Sequence, residues 1–187
     1  MSEGKQIPIP RFADDTGEAD PAVEAALVAA ARNPADVQAQ AEAVAQLARS
    51  RVLVPVLAVL DSLAEELTQN DPAQNDPVQN GPGPVLKREK DSHMATAVVA
   101  GPAGSTALLG FTSMAAMQAW QPTARPMPVS CREAAESAVA EGADALVIDL
   151  ACEHRFVLTG TALAAIAQGW RLVRVDGELS WVATTSA

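Results

Sequence analysis

Apolar residues between positions 92 and 120 form the pattern around which the rest of the chain is predicted to fold. Two apolar runs, 94–101 and 106–111, are separated by four residues that include proline and glycine, and this pattern predicts a β-hairpin. Both faces of each run carry small or apolar residues, so we expect the hairpin to lie inside a sheet. Thr112 or Ser113 is expected to cap a following helix, which Pro122 ends.

Two amphipathic helices and a strand are predicted before this hairpin. Asp20 and Pro21 are typical of a helix start, and the apolar residues that follow recur at helical spacing. A second helix is predicted over residues 35–49. The run 51–59 is rich in β-branched residues and predicts a strand. Within it, Pro55 is expected at an edge or a bulge, because proline cannot donate a ladder hydrogen bond.

The chain after the hairpin predicts further helices and strands in alternation. Ser130 and Glu133 have the spacing of a capping box at the start of a helix. Residues 144–150 predict a buried strand, and residues 155–158 predict its antiparallel neighbour. A last helix is predicted over residues 161–168.

A second hairpin is predicted at the C-terminal end. Asp176 and Gly177 are typical of a two-residue turn. Such a turn places Leu172 opposite Trp181, and this register gathers the apolar side chains on one face. We expect residues 169–187 to form this hairpin and to pack on the preceding domain.

Polar and low-complexity segments define the predicted domain organisation. The tetrapeptide Gln-Asn-Asp-Pro occurs twice after residue 68 and is followed by Gly-Pro pairs. Such a segment buries too little apolar area to offset its ordering entropy, so residues 69–86 are predicted to be a disordered insert. Residues 1–19 are predicted to be a flexible arm. Residues 20–168 are predicted to be one α+β domain, with a mixed, mostly antiparallel sheet packed with helices.

Four blocks of sequence carry a resemblance to a known family. They are RVLVPVLA at 51–58, KDSHMATAVVAGPAGSTALLGFTS at 90–113, MQAWQPTARPMPV at 117–129 and EGADALVIDLACEHRFVLTG at 141–160. In order and spacing these blocks resemble the N-terminal domain of the SseB family, over roughly residues 20–168. The resemblance implies an α+β domain with a mixed sheet and implies no catalytic residues. The repeat at 69–86 and the pair Cys152-Glu153 depart from the family's pattern.

Composition and charge narrow the classes of partner. The chain has 187 residues and a formal net charge of −10, with acidic residues spread along its length. An evenly acidic surface argues against nucleic acid or anionic lipid as a partner. The longest apolar run, 52–60, is interrupted by Pro55 and is far too short to span a membrane. Two cysteines make no disulfide framework, and the first residues show no signal-peptide core, so a cytoplasmic location is expected.

Few residues are suited to metal binding or to nucleophilic catalysis. Cys131, Cys152, His93 and His154 are the donors that a zinc site would need, but no closely spaced cysteine pair occurs, so no metal site is predicted. Cys131 lies at a predicted helix start, where a thiol pKa is lowered, although the capping box accounts equally well for its neighbours. No cofactor and no catalytic residue are predicted, and an enzymatic role is not favoured.

Two functions from different classes are compatible with this sequence. The first is a non-catalytic protein-interaction or regulatory module, in which a sheet edge accepts a strand from a protein partner. The alternative is a small-metabolite-binding sensor or enzyme with a pocket at the sheet ends. The candidate binding residues are Lys90, Asp91, His93, Arg125 and Arg155. A deep pocket that joins these residues would favour the alternative, and a shallow apolar surface would favour the interaction module.

Overall fold

The computed structural model describes residue 12 and residues 14–58, 84–86, 94–101, 104–176 and 178–183. The helices in these ranges are α1 (Pro21–Arg32), α2 (Val37–Leu47), α3 (Met114–Trp120), α4 (Cys131–Ala140) and α5 (Gly160–Ala167). The strands are β1 (Arg51–Ala58), β2 (Pro84–Leu86), β3 (Met94–Ala100), β4 (Thr106–Gly110), β5 (Arg125–Ser130), β6 (Ala145–Ile148), β7 (Phe156–Thr159), β8 (Trp170–Val175) and β9 (Glu178–Ala183). The fold is therefore α+β, as the sequence predicts.

One mixed sheet organises the fold. Its strand order is β5-β1-β3-β4-β6-β7, and β2 pairs with β3 beside this path. The pair β4–β6 is parallel, whereas the other pairs in the sheet are antiparallel. The predicted β3–β4 hairpin thus lies inside the sheet, and the predicted antiparallel pairing of β6 with β7 is confirmed.

The sheet separates two hydrophobic cores of different size. Helices α1, α2, α4 and α5 cover one face and enclose the larger core, in which Leu27, Leu47, Leu108 and Leu146 are fully buried. On the other face, α3 packs against the sheet, and Met117 of α3 is buried beside Phe111. We call these the first face and the second face. Among the described residues, the second-face core has fewer buried side chains than the first, and three of its strand residues are alanines, Ala97, Ala107 and Ala145.

Local sequence signals set the helix starts. Asp20 Oδ1 accepts a hydrogen bond from the Ala22 N–H at 2.8 Å, which begins α1. Ser113, rather than Thr112, caps α3. The predicted capping box is present at the start of α4, where Glu133 Oε2 accepts from the Ser130 N–H at 2.8 Å.

Pro55 was predicted at an edge or a bulge, and the edge is wrong, because β1 lies between two neighbouring strands. Leu53 exchanges backbone hydrogen bonds with Phe111, and the ladder with β3 begins only at Val56. Backbone groups alternate sides along a strand, so the nitrogen of Pro55 points to the same side as that of Leu53. Pro55 therefore occupies the position where the neighbouring strand changes, and no ladder donor is missed there.

Two predicted segment boundaries need correction. The flexible arm was predicted to extend to residue 19, but Arg51 contacts Asp15 and the Gly17 carbonyl accepts from the Met114 N–H at 2.8 Å, so this part of the chain is held against the domain. The disordered insert was predicted to extend to residue 86, but Pro84–Leu86 forms β2, because its backbone completes a ladder with β3. Residues 1–11 and 69–83 lie outside the described residues.

The C-terminal hairpin has the predicted register, with Leu172 opposite Trp181 and Trp170 opposite Ala183. Strands β8 and β9 form a separate two-stranded sheet. Strand β8 contacts α2 and α5, and Leu172 and Trp181 pack against the larger core. No helix within the described ranges is both long enough and apolar enough to cross a membrane.

Candidate interaction surface

The β7 edge of the sheet directs backbone hydrogen-bonding groups outward. The Asp149 N–H donates to the Gly110 carbonyl of β4 at 3.0 Å, so the carbonyl of Ile148, on the other side of the same trans peptide, points towards β7. Ile148 opposite Phe156 is consequently a hydrogen-bonded pair, and the alternate residue, Val157, points its N–H and C=O away from β6. Among the described strands, β7 pairs with β6 alone.

The β5 edge, at the other end of the sheet, presents no free donor along its outer side. Leu53 points its backbone groups towards Phe111, so its partner Pro128 lies with its nitrogen on the outer side of β5, and Pro126 follows the same alternation. Neither proline has an N–H. The next outward N–H belongs to Ser130, and Glu133 already accepts it. This edge is closed to a further strand by its own sequence.

An apolar depression, which we call the sheet-face groove, crosses the second face as far as β7. It encloses about 430 Å³, and its lining includes Val99, Ala107, Trp120, Val147, Leu150 and Val157. Trp120 is held in place by stacking on Phe111, with ring centroids 5.6 Å apart. Val157 is 49% exposed at the rim where the groove reaches the edge. The groove lies beside α3, where Ala107 and Ala145 line it between larger apolar side chains of the second face.

A second depression, the polar cleft, flanks β7 on the first face. It encloses about 440 Å³ between the end of α1, Gln40 of α2 and the start of β7, where Glu153, Arg155 and Phe156 line it. The two depressions thus lie on opposite sides of one strand. Val157 borders both of them.

The structure separates the predicted site residues that it describes. Arg125 begins β5 and Arg155 precedes β7, so the two lie at opposite ends of the strand order, and both are exposed. One pocket that joins them is therefore not formed. Arg155 lines the polar cleft, and its role in binding stays a prediction. Lys90, Asp91 and His93 lie outside the described residues.

A buried polar cluster at the carboxyl ends of β4 and β6 was not foreseen from the sequence. Asp149 is fully buried and accepts hydrogen bonds from the Thr112 N–H at 2.8 Å and from Thr112 Oγ1 at 2.7 Å. His154 Nε2 lies 3.6 Å from Asp149 Oδ2. Burial raises the pKa of Asp149, against the Thr112 hydrogen bonds and the nearby His154, while Glu24 adds to the rise. The cluster ties together two strand ends and satisfies its own polar atoms.

Arg51 anchors the chain before α1 to the same end of the sheet. Its guanidinium binds the Asp15 carboxylate, with Nη2 at 2.8 Å from Oδ1, and also donates to the carbonyls of Thr112 and Glu18. The hydrogen bond from Arg51 holds the pKa of Asp15 below its ordinary value. These contacts are structural, because they leave the guanidinium no open face for a ligand.

The cysteines are poorly placed for chemistry. Cys131 is fully buried in the larger core, and burial raises the pKa of its thiol to about 12, so the lowered pKa considered from its place at a helix start is wrong. Cys152 packs against the core of the second face, so the sheet lies between the two cysteines. Burial also raises the pKa of Cys152. The described residues contain no group of three histidine, cysteine or acidic side chains placed to hold a metal ion.

Comparison with known families places these features in a defined domain. The family model described as the SseB protein N-terminal domain matches residues 23–165. The chain belongs to the SseB family. No curated protein and no solved structure matches it.

The SseB domain match includes all the residues that form the β7 edge, the sheet-face groove and the polar cleft, whereas the β8–β9 hairpin lies beyond it. The sequence of the SseB chain predicts a sheet edge that accepts a strand but not which strand forms that edge, because this depends on which strands end the sheet. The signals that pointed to them were weak. The run RPMPV marks β5 as an edge by its prolines, and the polar residues around Asp149 follow an apolar strand.

Proposed function

We propose that this SseB-family chain is a protein-interaction module and that its binding surface is the sheet-face groove together with the β7 edge. The observation that carries the proposal is the groove itself. It is open at β7, lined mainly by apolar side chains, and rimmed by the half-exposed Val157. An exposed apolar surface that is rimmed by polar residues is typical of a protein-interaction site. The occupant is a segment of a partner protein that presents apolar side chains.

The separation of Arg125 from Arg155 supports this proposal over the metabolite sensor. A pocket for a polar metabolite holds its ligand by a few precisely placed polar groups. Arg155 lines the polar cleft with Gln40 and Glu153, whereas Arg125 lies outside it, and the groove is lined mainly by apolar side chains. The proposal includes no catalytic step.

The test is a pair of glutamate substitutions at equally exposed valines. Val157→Glu places a charge on the rim of the groove, whereas Val175→Glu places the same charge on β8, outside it; the two side chains are 49% and 50% exposed. We expect proteins retained by the immobilised wild-type chain to be retained equally by Val175→Glu and to be lost from Val157→Glu. Quantitative mass spectrometry of the eluates measures the amount of each retained protein relative to the wild-type eluate. Equal retention by all three chains would show that the groove is not the binding surface.

A further inference from the structure

We infer that the β7 edge binds an extended peptide segment as an added antiparallel strand, with one apolar side chain over the sheet-face groove and polar side chains on both sides of it in sequence. This inference rests on the proposed function and names the form of the partner. It begins from the two ends of the sheet, since one is closed by prolines and the other is open.

Four backbone groups on β7 point outward in the spacing of a strand ladder. The alternation that directs the Val157 N–H and C=O outward also directs outward the Thr159 N–H and the Arg155 C=O. An antiparallel segment satisfies all four. Its central residue, placed opposite Val157, exchanges two hydrogen bonds with Val157, and the residues two positions away bind Thr159 and Arg155. Main-chain bonds of this kind are the basis of strand addition.

The two depressions determine the side chains that fit. Residues directly opposite each other on neighbouring strands point to the same face, so the central residue of the segment points to the second face with Val157, over the sheet-face groove. The residues before and after it point to the first face. The one opposite Phe156 reaches the polar cleft, where Gln40, Glu153 and Arg155 provide donors and acceptors. The segment that fits therefore has a large apolar residue flanked by polar ones.

A second copy of this chain fits the edge less well than a peptide does. If β7 paired with its own copy around Val157, the incoming Leu158 would remain buried in its own core, where it is 1% exposed, and Phe156 packs against that core as well. Neither side chain would then enter the polar cleft of the other molecule. A free segment carries side chains that can fill both depressions, and this favours a peptide as the occupant.

The experiment uses peptides of about seven residues, a usual strand length, with alternating apolar and polar residues. They are selected by display on the immobilised full chain and then synthesised. In the best binder, methylation of the amide nitrogen of the central residue removes its hydrogen bond to the Val157 carbonyl. Methylation of the amide nitrogen of the next residue is the control, because that nitrogen points away from β7. We expect the first change to weaken binding at least about 10-fold and the second to leave it nearly unchanged, by fluorescence anisotropy.

A substitution in the protein provides the complementary test. Val157→Pro removes the outward N–H without breaking a bond to β6. Val175→Glu changes an equally exposed valine on β8, outside the groove, and is the control. We expect the proline variant to lose peptide affinity by at least about 10-fold and Val175→Glu to retain it, with thermal unfolding used to check both folds. If the proline variant does not fold, the methylated peptides carry the test on the wild-type chain.

Three outcomes overturn the inference. One is that no alternating peptide binds the wild-type chain. Another is that neither methylation nor Val157→Pro affects binding while Val157→Glu abolishes it, which would leave the groove as a binding surface without strand addition. The third is that the wild-type chain is a dimer that Val157→Pro makes monomeric, which would identify a second copy as the occupant. By contrast, equal protein retention by wild type and Val157→Glu would refute the proposed function itself.

Discussion

At the scale of single residues, Asp149 combines two unusual features. Its side chain is fully buried, and its backbone is in the left-handed region with φ of 52°. Aspartate and asparagine tolerate this region better than other side chains do. The two hydrogen bonds from Thr112 offset part of the cost of burying the carboxylate, and they join the end of β4 to the end of β6. Asp149 therefore acts as a connection between strand ends.

The raised pKa of Asp149 predicts how stability depends on pH. Because the folded state binds the proton more tightly than the unfolded state does, the free energy of unfolding falls as pH rises from the ordinary aspartate pKa of about 4 through the raised value. Asp149→Asn keeps a side chain suited to this backbone and cannot ionise. We expect its stability relative to wild type to increase over this pH range, measured by urea unfolding at several pH values.

Asp149→Ala is the control for this prediction. Alanine leaves the buried Thr112 N–H and hydroxyl without their acceptor and adopts a positive φ poorly, so we expect a loss of about 2–4 kcal/mol below the ordinary aspartate pKa of about 4. Because alanine cannot ionise either, this loss should become smaller with rising pH in parallel with Asp149→Asn. If the difference between wild type and Asp149→Asn were constant with pH, the carboxyl would not have a raised pKa.

At the scale of elements, the two end strands of the sheet differ in their outward backbone donors: β5 has none that is free, whereas β7 has them. Pro126 and Pro128 remove donors from the outer side of β5, and the capping box of α4 uses the N–H of Ser130. Strand β7 has no such protection among the described residues, although it is only four residues long. Of the two ends of the strand order, β7 is therefore the one that keeps its outward backbone donors among the described residues.

Replacing the two prolines is expected to open the β5 edge. The double variant Pro126→Val, Pro128→Val gains two outward N–H groups and two β-branched residues, so we predict self-association at concentrations where the wild-type chain does not self-associate. Sedimentation velocity measures the change. Met127→Val alters the same strand without adding an outward donor and is expected to behave as wild type. An unchanged sedimentation profile for the double variant would mean that the prolines do not protect this edge.

At the scale of the whole molecule, the C-terminal hairpin is an addition to the domain. It forms its own two-stranded sheet and packs against the larger core through Leu172 of β8 and Trp181 of β9. The family match ends at residue 165, before the hairpin begins. Among the described strands, β8 and β9 pair only with each other, so the main sheet does not depend on the hairpin for strand pairing.

A chain that ends at Gly169 is predicted to fold with lower stability. The loss should be about 2 kcal/mol, because two partly buried apolar side chains no longer cover α2 and α5. Urea unfolding of both chains followed by far-UV circular dichroism measures it. The variant Leu172→Ala, Trp181→Ala keeps the hairpin and is expected to lose a similar amount. Failure of the shortened chain to fold would show that the hairpin is part of the domain.

Local features of this protein follow from the sequence alone. The turn at Asp176, the register of Leu172 opposite Trp181, the capping box at Ser130 and the β3–β4 hairpin were all predictable. Each depends on residues that are close together in the chain, where turn chemistry, side-chain period and capping act directly. The family resemblance was also visible in the sequence and is confirmed by the match to residues 23–165.

Only the tertiary structure decided which strands end the sheet and where its depressions lie. The open edge at Val157, the sheet-face groove and the buried Asp149 are made by elements far apart in sequence, and the same is true of the separation of Arg125 from Arg155. A hydrophobic pattern shows that a strand is buried on one face or both, but it does not show which strand lies next to it. The physical reason is that strand order and exposed edges depend on backbone pairing between distant residues, to which every backbone contributes the same N–H and C=O groups unless proline removes one.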